Sequence, residues 1–199
     1  MKYVNHFLSE FRKTPSFTLN DVARFLRYEG SRGTYAKVFM GLMVKSGKAY
    51  KITKGAYTLY DDTETVGFPF APFYYGLGFA LTKHRLWTQQ ANPQVVTTKN
   101  VRRGIRKAFG LNFTVSKISK RMFFGYSYAK GQNFYYPVSD IEKTLIDLVY
   151  FNYRVEDYVY EEAAARARKD VLMAYLKRCS PYIKRKVLRR LGKFGVQIG

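Results

Sequence analysis

Residues 14–60 carry the pattern that most restricts how this chain can fold. Thr18-Leu19-Asn20-Asp21 matches a capping box, in which a hydroxyl and a carboxylate three residues apart satisfy the open amides at a helix start. Val22, Phe25 and Leu26 follow at helical spacing and give that helix one apolar face. Glu29-Gly30-Ser31-Arg32-Gly33 then breaks the period with two glycines, a turn of the length that joins two helices. A second helix is predicted from about residue 34 to residue 46, with Ser31 as its N-cap and Tyr35, Val38, Phe39 and Leu42 on the buried side. Two short strands, 48–53 and 56–60, flank Lys54-Gly55 and predict a hairpin with a basic tip. Helix, turn, helix and basic hairpin, in that order, predict a winged helix-turn-helix.

In that arrangement the second helix lies in the major groove and its first residues meet base edges. Rotation by about 100° per residue from the expected buried stripe places Gly33, Thr34, Lys37, Met40, Gly41 and Val44 outward, with Arg32 at the front. Arg32 and Lys37 are then expected to pair with guanine, and Thr34 to reach a thymine methyl or a phosphate. Gly33 and Gly41 would allow close backbone approach, and Ser31 would sit where a phosphate meets the helix N-terminus. Lys51 and Lys54 on the hairpin are expected to hold sugar-phosphate and fix register. The competing reading is a solvated face on a small helical module used for protein contact.

The charge favours a polyanionic partner. The chain has 35 Lys+Arg against 14 Asp+Glu, a formal +21. Residues 1–62 hold 11 basic and 5 acidic residues, net +6; residues 63–150 hold 12 and 4, net +8; residues 151–199 hold 12 and 5, net +7. An excess in every part predicts a footprint that runs beyond the reading helix. A content of 47% hydrophobic and 18% aromatic residues supports real cores and excludes a disordered basic chain. The one cysteine, Cys179, excludes an internal disulfide or a cysteine-cluster metal site and reads as a packed residue suited to a reducing cytoplasm. Met1-Lys2-Tyr3 leads into mixed polar residues, so no signal peptide is expected. Residues 65–82 are uncharged and aromatic, but Gly67, Pro69, Pro72, Gly76 and Gly78 interrupt them. A spanning helix needs about 20 mostly apolar residues, so this stretch reads as a loop leading into a buried helix, with no membrane role.

Asp61-Asp62-Thr63-Glu64 is read as a linker, which divides the chain into 1–62 and 63–199. Beyond it a helix is predicted over 74–85, strands over 94–98 and 112–118, and a strand and bend over 121–125. Ser139-Asp140-Ile141-Glu142 matches a second capping box, opening a helix with Ile141, Leu145 and Leu148 on one face. Helices over 155–178 and 181–191 complete a basic C-terminal part, 152–199; in the second, Ile183, Val187, Leu188 and Leu191 lie opposite Lys184, Arg185, Arg189 and Arg190. The predicted fold is α+β: an N-terminal winged helix-turn-helix followed by a mixed α/β domain with C-terminal helices. The densest basic run, with Lys99, Arg102, Arg103, Arg106 and Lys107, either grips phosphates or forms a solvated loop.

The second half also carries a resemblance. Phe73-Tyr74-Tyr75-Gly76, Ala80-Leu81, His84, Val95-Val96-Thr97-Thr98 and Arg102-Arg103 stand in an order similar to the AbiEi antitoxin family. The match continues through Phe123-Phe124-Gly125 and 138–148, so that with the N-terminal pattern it covers about residues 14–151. The resemblance implies a DNA-binding antitoxin that represses its own operon at inverted repeats, and a second domain that counters a nucleotidyltransferase-like toxin. A stand-alone or architectural DNA-binding regulator without a toxin would share the same pattern.

A metal-dependent nuclease is the rival class. Asp140, Glu142, Lys143 and Asp147 form a tight acidic group in the second half, with a lysine among the carboxylates. Asp140 and Glu142, two apart on a helix, point in different directions, whereas metal-dependent cleavage needs convergent carboxylates. His6 and His84 lack acidic partners at ligand spacing, and no Walker-type phosphate loop occurs. No enzyme, metal or cofactor is therefore expected.

Overall fold

The computed structural model describes residues 3–194. The N-terminal part runs α1 (Val4–Phe11), β1 (Phe17–Thr18), α2 (Leu19–Tyr28), α3 (Ala36–Lys45), β2 (Tyr50–Thr53) and β3 (Ala56–Thr58). The strands form an antiparallel sheet in the order β1-β3-β2. The capping box at α2 forms as its sequence predicts: the Asp21 amide donates to Thr18 Oγ1 at 3.2 Å, and the Thr18 amide donates to the Asp21 carboxylate at 2.8 Å. Gly55, at the hairpin tip, has φ +75, a left-handed conformation that a side chain would strain.

Helix α1 is an addition to the sequence reading. Val4, Phe7 and Phe11 recur at helical spacing and are buried against α2 and α3. Phe7 meets the rings of Phe11, Phe17, Phe25 and Phe39 at 4.7, 5.4, 5.6 and 5.1 Å. His6 Nδ1 lies 2.9 Å from Glu29, which fastens α1 to the end of α2.

The second part is a mixed six-stranded sheet with helices packed on it. Its elements are β4 (Phe73–Tyr75), α4 (Leu77–Lys83), β5 (Gln94–Thr97), β6 (Gly104–Ala108), β7 (Leu111–Lys117), β8 (Tyr126–Lys130), β9 (Tyr135–Ser139), α5 (Ile141–Tyr150), α6 (Asp157–Arg166), α7 (Lys169–Arg178) and α8 (Pro181–Gly192). Strand order is β6-β7-β5-β4-β9-β8, with β4–β9 and β5–β7 parallel and the other pairs antiparallel. Alternate residues feed two cores. Tyr74 and Val96 pack with α5–α8, while Tyr75, Val95, Val115 and Val138 pack with Phe70, Phe79 and Ile52 of the N-terminal hairpin. Strand β2 therefore rests against edge strand β6, with Tyr50 and Phe109 rings 5.8 Å apart.

Several local expectations change. Tyr74 and Tyr75 belong to a strand, and the helix starts only at Leu77, because a strand lets consecutive aromatics reach opposite cores. Residues 121–125 hold a 3-10 turn, Lys120–Met122, and a left-handed Gly125, φ +69, instead of a strand. The helix predicted over 155–178 is two helices, separated at Ala167 and Arg168, both in extended conformation. The acidic stretch 61–64 is tied to the larger sheet: the Glu64 carboxylate accepts from Lys83 Nζ at 2.8 Å and from the Tyr136 hydroxyl at 2.6 Å. Burial and that hydrogen bond to Glu64 push Tyr136 up to about 12. No described helix is long and apolar enough to cross a membrane.

The second capping box does not form. Asp140 is the N-cap of α5 and accepts from the Lys143 amide at 2.7 Å, while Ser139 ends β9, buried, within 2.8 Å of the Thr144 hydroxyl. Glu142 turns toward α7, where it accepts from the Arg168 amide at 2.7 Å and from Arg168 Nε at 3.2 Å. Burial raises the Glu142 carboxyl, but these Arg168 donors outweigh it and hold the group below its ordinary value.

Candidate nucleic-acid interface

The geometry of α3 fixes which side chains face outward. Its buried residues are Ala36, Phe39, Met40 and Met43. The expected stripe of Tyr35, Val38, Phe39 and Leu42 is thus displaced by one residue. Met40, expected outward, is fully buried, while Val38 and Leu42, expected inward, are 55% and 41% exposed. The cause is local: residues 33–35 form a 3-10 turn, and α3 begins at Ala36 instead of near residue 34. Side chains eclipse at i and i+3 in such a turn, so the phase of the following helix shifts.

Lys37 and Gly41 remain on the outer face, now beside Val38, Leu42, Val44 and Lys45. Arg32 and Thr34 are exposed on the turn before it. Ser31 is not an N-cap; Arg32 precedes the 3-10 turn and Tyr35 precedes α3, neither making a side-chain capping bond. Gly33 faces α2 instead of outward. A Cβ there would stand 3.3 Å from the Ala23 carbonyl and 2.6 Å from Arg27 Nη1, so the glycine serves the packing of the two helices. Lys51 and Lys54 are exposed on the hairpin, as the alternation of a half-buried strand requires, with Ile52 pointing into the core.

The basic run 99–107 is partly strand. Gly104, Ile105, Arg106 and Lys107 lie in β6, beside β2. Arg102, Arg103 and Lys107 are exposed. Arg106 folds back instead: its guanidinium lies 5.2 Å from the Phe70 ring centroid, Nη2 donates to the Arg102 carbonyl at 2.8 Å, and the buried Nε has no acceptor among the described residues. Lys99 Nζ donates to the Pro69 carbonyl at 2.8 Å. The cations of this run that point into solvent are therefore Arg102 and Arg103, just before β6, and Lys107 within it, on the strand beside β2. Each neutralised phosphate changes the slope of log K against log salt by roughly 0.9, so Arg102→Ala/Arg103→Ala should flatten the slope for duplex DNA by about 2 units. A slope unchanged in a folded double variant would show that these arginines are only solvated.

Sequence reasoning missed Val38, Leu42 and Lys45 on the outer face. The same apolar residues fit two stripes one residue apart, and only the start of the helix chooses between them.

The four acidic-group residues of α5 are occupied. Asp140 accepts from Tyr175 at 2.7 Å, Glu142 holds Arg168, and Asp147, fully buried, pairs with Lys143 and accepts from the Tyr74 hydroxyl at 2.7 Å. Burial pushes the Asp147 carboxyl up against the pull of the Lys143 ammonium, and burial beside Asp147 raises the Tyr74 hydroxyl. Among the described residues no three His, Cys, Asp or Glu side chains gather as metal ligands. No protein-family model matches the chain, and no curated protein matches it.

Proposed function

We propose that the chain is a sequence-specific double-stranded DNA-binding repressor whose N-terminal part acts as a winged helix-turn-helix. One observation carries the reading: α3 packs on α2 through one face and presents the other, with Lys37 and the preceding Arg32 and Thr34, on the same molecule as a hairpin carrying exposed Lys51 and Lys54. Arg32 and Lys37 supply guanine contacts, and the exposed methyls of Val38 and Leu42 supply apolar contacts to thymine. The hairpin lysines and Arg102, Arg103 and Lys107 hold phosphates. Ser31 and Gly33 drop out of direct contact, the first because it caps nothing and the second because it faces α2.

The AbiEi-like order of motifs supports a narrower reading, in which the protein is the cytoplasmic, autoregulating antitoxin of an operon that also encodes a nucleotidyltransferase-like toxin. The α5 carboxylates, on which the rival nuclease reading would rest, are engaged by Lys143, Arg168, Tyr74 and Tyr175.

The test is a footprint of the full-length protein on the DNA upstream of its own gene, with affinities for that site, for random duplex and for the site with uracil in place of thymine. A protected inverted repeat is expected. Arg32→Ala or Lys37→Ala should reduce operator preference by about 1–3 kcal/mol, and the uracil site should bind more weakly than the thymine site. Equal affinity for operator and random duplex would overturn the reading and leave the exposed Val38–Leu42 face as a protein contact. A nucleotidyltransferase reading frame beside the gene separates the antitoxin from a stand-alone regulator.

A further inference from the structure

A cleft of about 540 Å³ opens between the end of α5, the loop that follows it, α6 and α8. Five cations line it, Arg154, Lys186, Arg189, Arg190 and Lys193, and no carboxylate does. Its apolar wall comes from Val155 and the Tyr153 ring, with the nearly buried Leu148 and Val149 behind them. The cleft belongs to the helical face of the larger sheet, opposite the face that receives Ile52 from the hairpin, so it is separate from the interface described above.

The arrangement of charge here calls for a partner. Lys186, Arg189, Arg190 and Lys193 are spaced by three and four along α8, the spacing that brings like charges together and destabilises a helix. Arg190 is compensated, by Asp157 at 2.6 Å and by stacking over Tyr160 and Phe194. Arg154, Lys186, Arg189 and Lys193 have no ion-pair or hydrogen-bond partner among the described residues. Nearby acids are used elsewhere: Glu156 accepts from Trp87 and Gln89, and Glu162 pairs with Arg166. The negative end of the α8 dipole favours Arg189 and Arg190 in its last turn, but Lys186 and the loop residue Arg154 lie outside that turn. Four uncompensated cations converging on a cleft with an apolar wall match a ligand that joins phosphates to an apolar or planar body. The volume falls in the range of small-molecule sites, about 300–1,000 Å³.

We propose that this cleft binds a nucleoside phosphate, with Arg154, Lys186, Arg189 and Lys193 on the phosphates and the base or sugar against Val155 and the Tyr153 ring.

The experiment is fluorescence anisotropy of a labelled ATP with the full-length protein, in competition with unlabelled ATP, adenosine, inorganic tripolyphosphate and a 5′-phosphorylated RNA tetranucleotide. ATP should displace the label and adenosine should not. The RNA competing better than ATP would place the phosphate on a nucleic-acid end, and ATP competing better would place it on a free nucleotide; both keep the proposal. Tripolyphosphate competing as well as ATP would overturn it, by showing that charge alone is recognised. Lys186→Ala/Arg189→Ala should weaken ATP by about tenfold or more, because hydrogen bonds between charged groups are lost. Lys37→Ala/Lys51→Ala/Lys54→Ala, on the far side of the sheet, should change it by less than about twofold at physiological salt. Equal losses in the two variants would overturn the site. The cleft variant should melt no lower than the wild type, since it relieves like-charge repulsion on α8, and ATP should raise the melting temperature of the wild type only. A lower melting temperature in the variant would assign these cations to the fold and overturn the proposal.

Discussion

Replacing Lys143 with alanine is expected to lower the unfolding free energy by about 3–5 kcal/mol, the usual effect of stranding one charge of a buried pair. Lys143 and Asp147 are both fully buried, four residues apart on α5. The ammonium also lies 5.4 Å from the Tyr74 ring centroid and 5.1 Å from that of Phe124, and the Tyr74 hydroxyl donates to the far oxygen of Asp147. Removing the lysine leaves a carboxylate with one neutral donor in an apolar surround. It must then take up a proton or draw in water. The double variant Lys143→Met/Asp147→Leu removes both charges and should recover most of the loss, because well-packed apolar groups often replace a buried ion pair at little cost. Urea unfolding of the three proteins decides it. A loss below about 1 kcal/mol in Lys143→Ala would mean that the site is wet and the pair contributes as a surface bridge does.

Phe7→Ala should destabilise the protein by about 3–5 kcal/mol and weaken operator binding with it. Phe7 is fully buried and touches an aromatic ring from each of α1, β1, α2 and α3. Its contact with Phe39 lies on the inner side of α3, directly behind Lys37 and Val38. The cavity left by truncation lets α3 settle inward or tilt, and a base-reading helix tolerates little of either. Phe7→Leu, which keeps most of the volume, should restore both stability and operator preference. If Phe7→Ala lost stability but kept operator affinity at a temperature where it is folded, α3 would be held by α2 and the hairpin alone.

Much of the framework could be read from the sequence wherever a local signal had one solution. The Thr18–Asp21 capping box, the Lys54-Gly55 hairpin tip and the strands β5 and β7 are such places, because a cap, a left-handed glycine or a run of β-branched residues leaves few alternatives. Where two solutions fitted equally, the answer came from tertiary packing. In α3 most side chains are apolar, so two buried stripes were possible and the Gly33–Tyr35 turn selected one. At α5 both Ser139 and Asp140 can cap a helix. The pairing of β9 with β8, with Ser139 opposite Tyr126, draws Ser139 into the sheet and leaves the cap to Asp140. For the basic run, sequence gave charge but not direction. Arg106 and Lys107 are neighbours, and one bends back over Phe70 while the other points into water. The cleft cations come together only because α8 folds over the end of α5, a contact between segments far apart in the chain.

The seat of Ile52 in the larger sheet's core also bears on how the protein is made. The other buried residues of that core run from Val66 to Val138, so the core that receives Ile52 is not complete until β9 has been synthesised. At roughly 5–20 residues per second, the nascent hairpin spends seconds with that apolar residue uncovered. The N-terminal helices can gather around Phe7 during this interval, since everything they need has already emerged. The hairpin cannot reach its final resting place so early. Production of the protein therefore depends on a late closure between β2 and β6, and a chain cut short after the hairpin would carry Ile52 as a bare, adhesive spot.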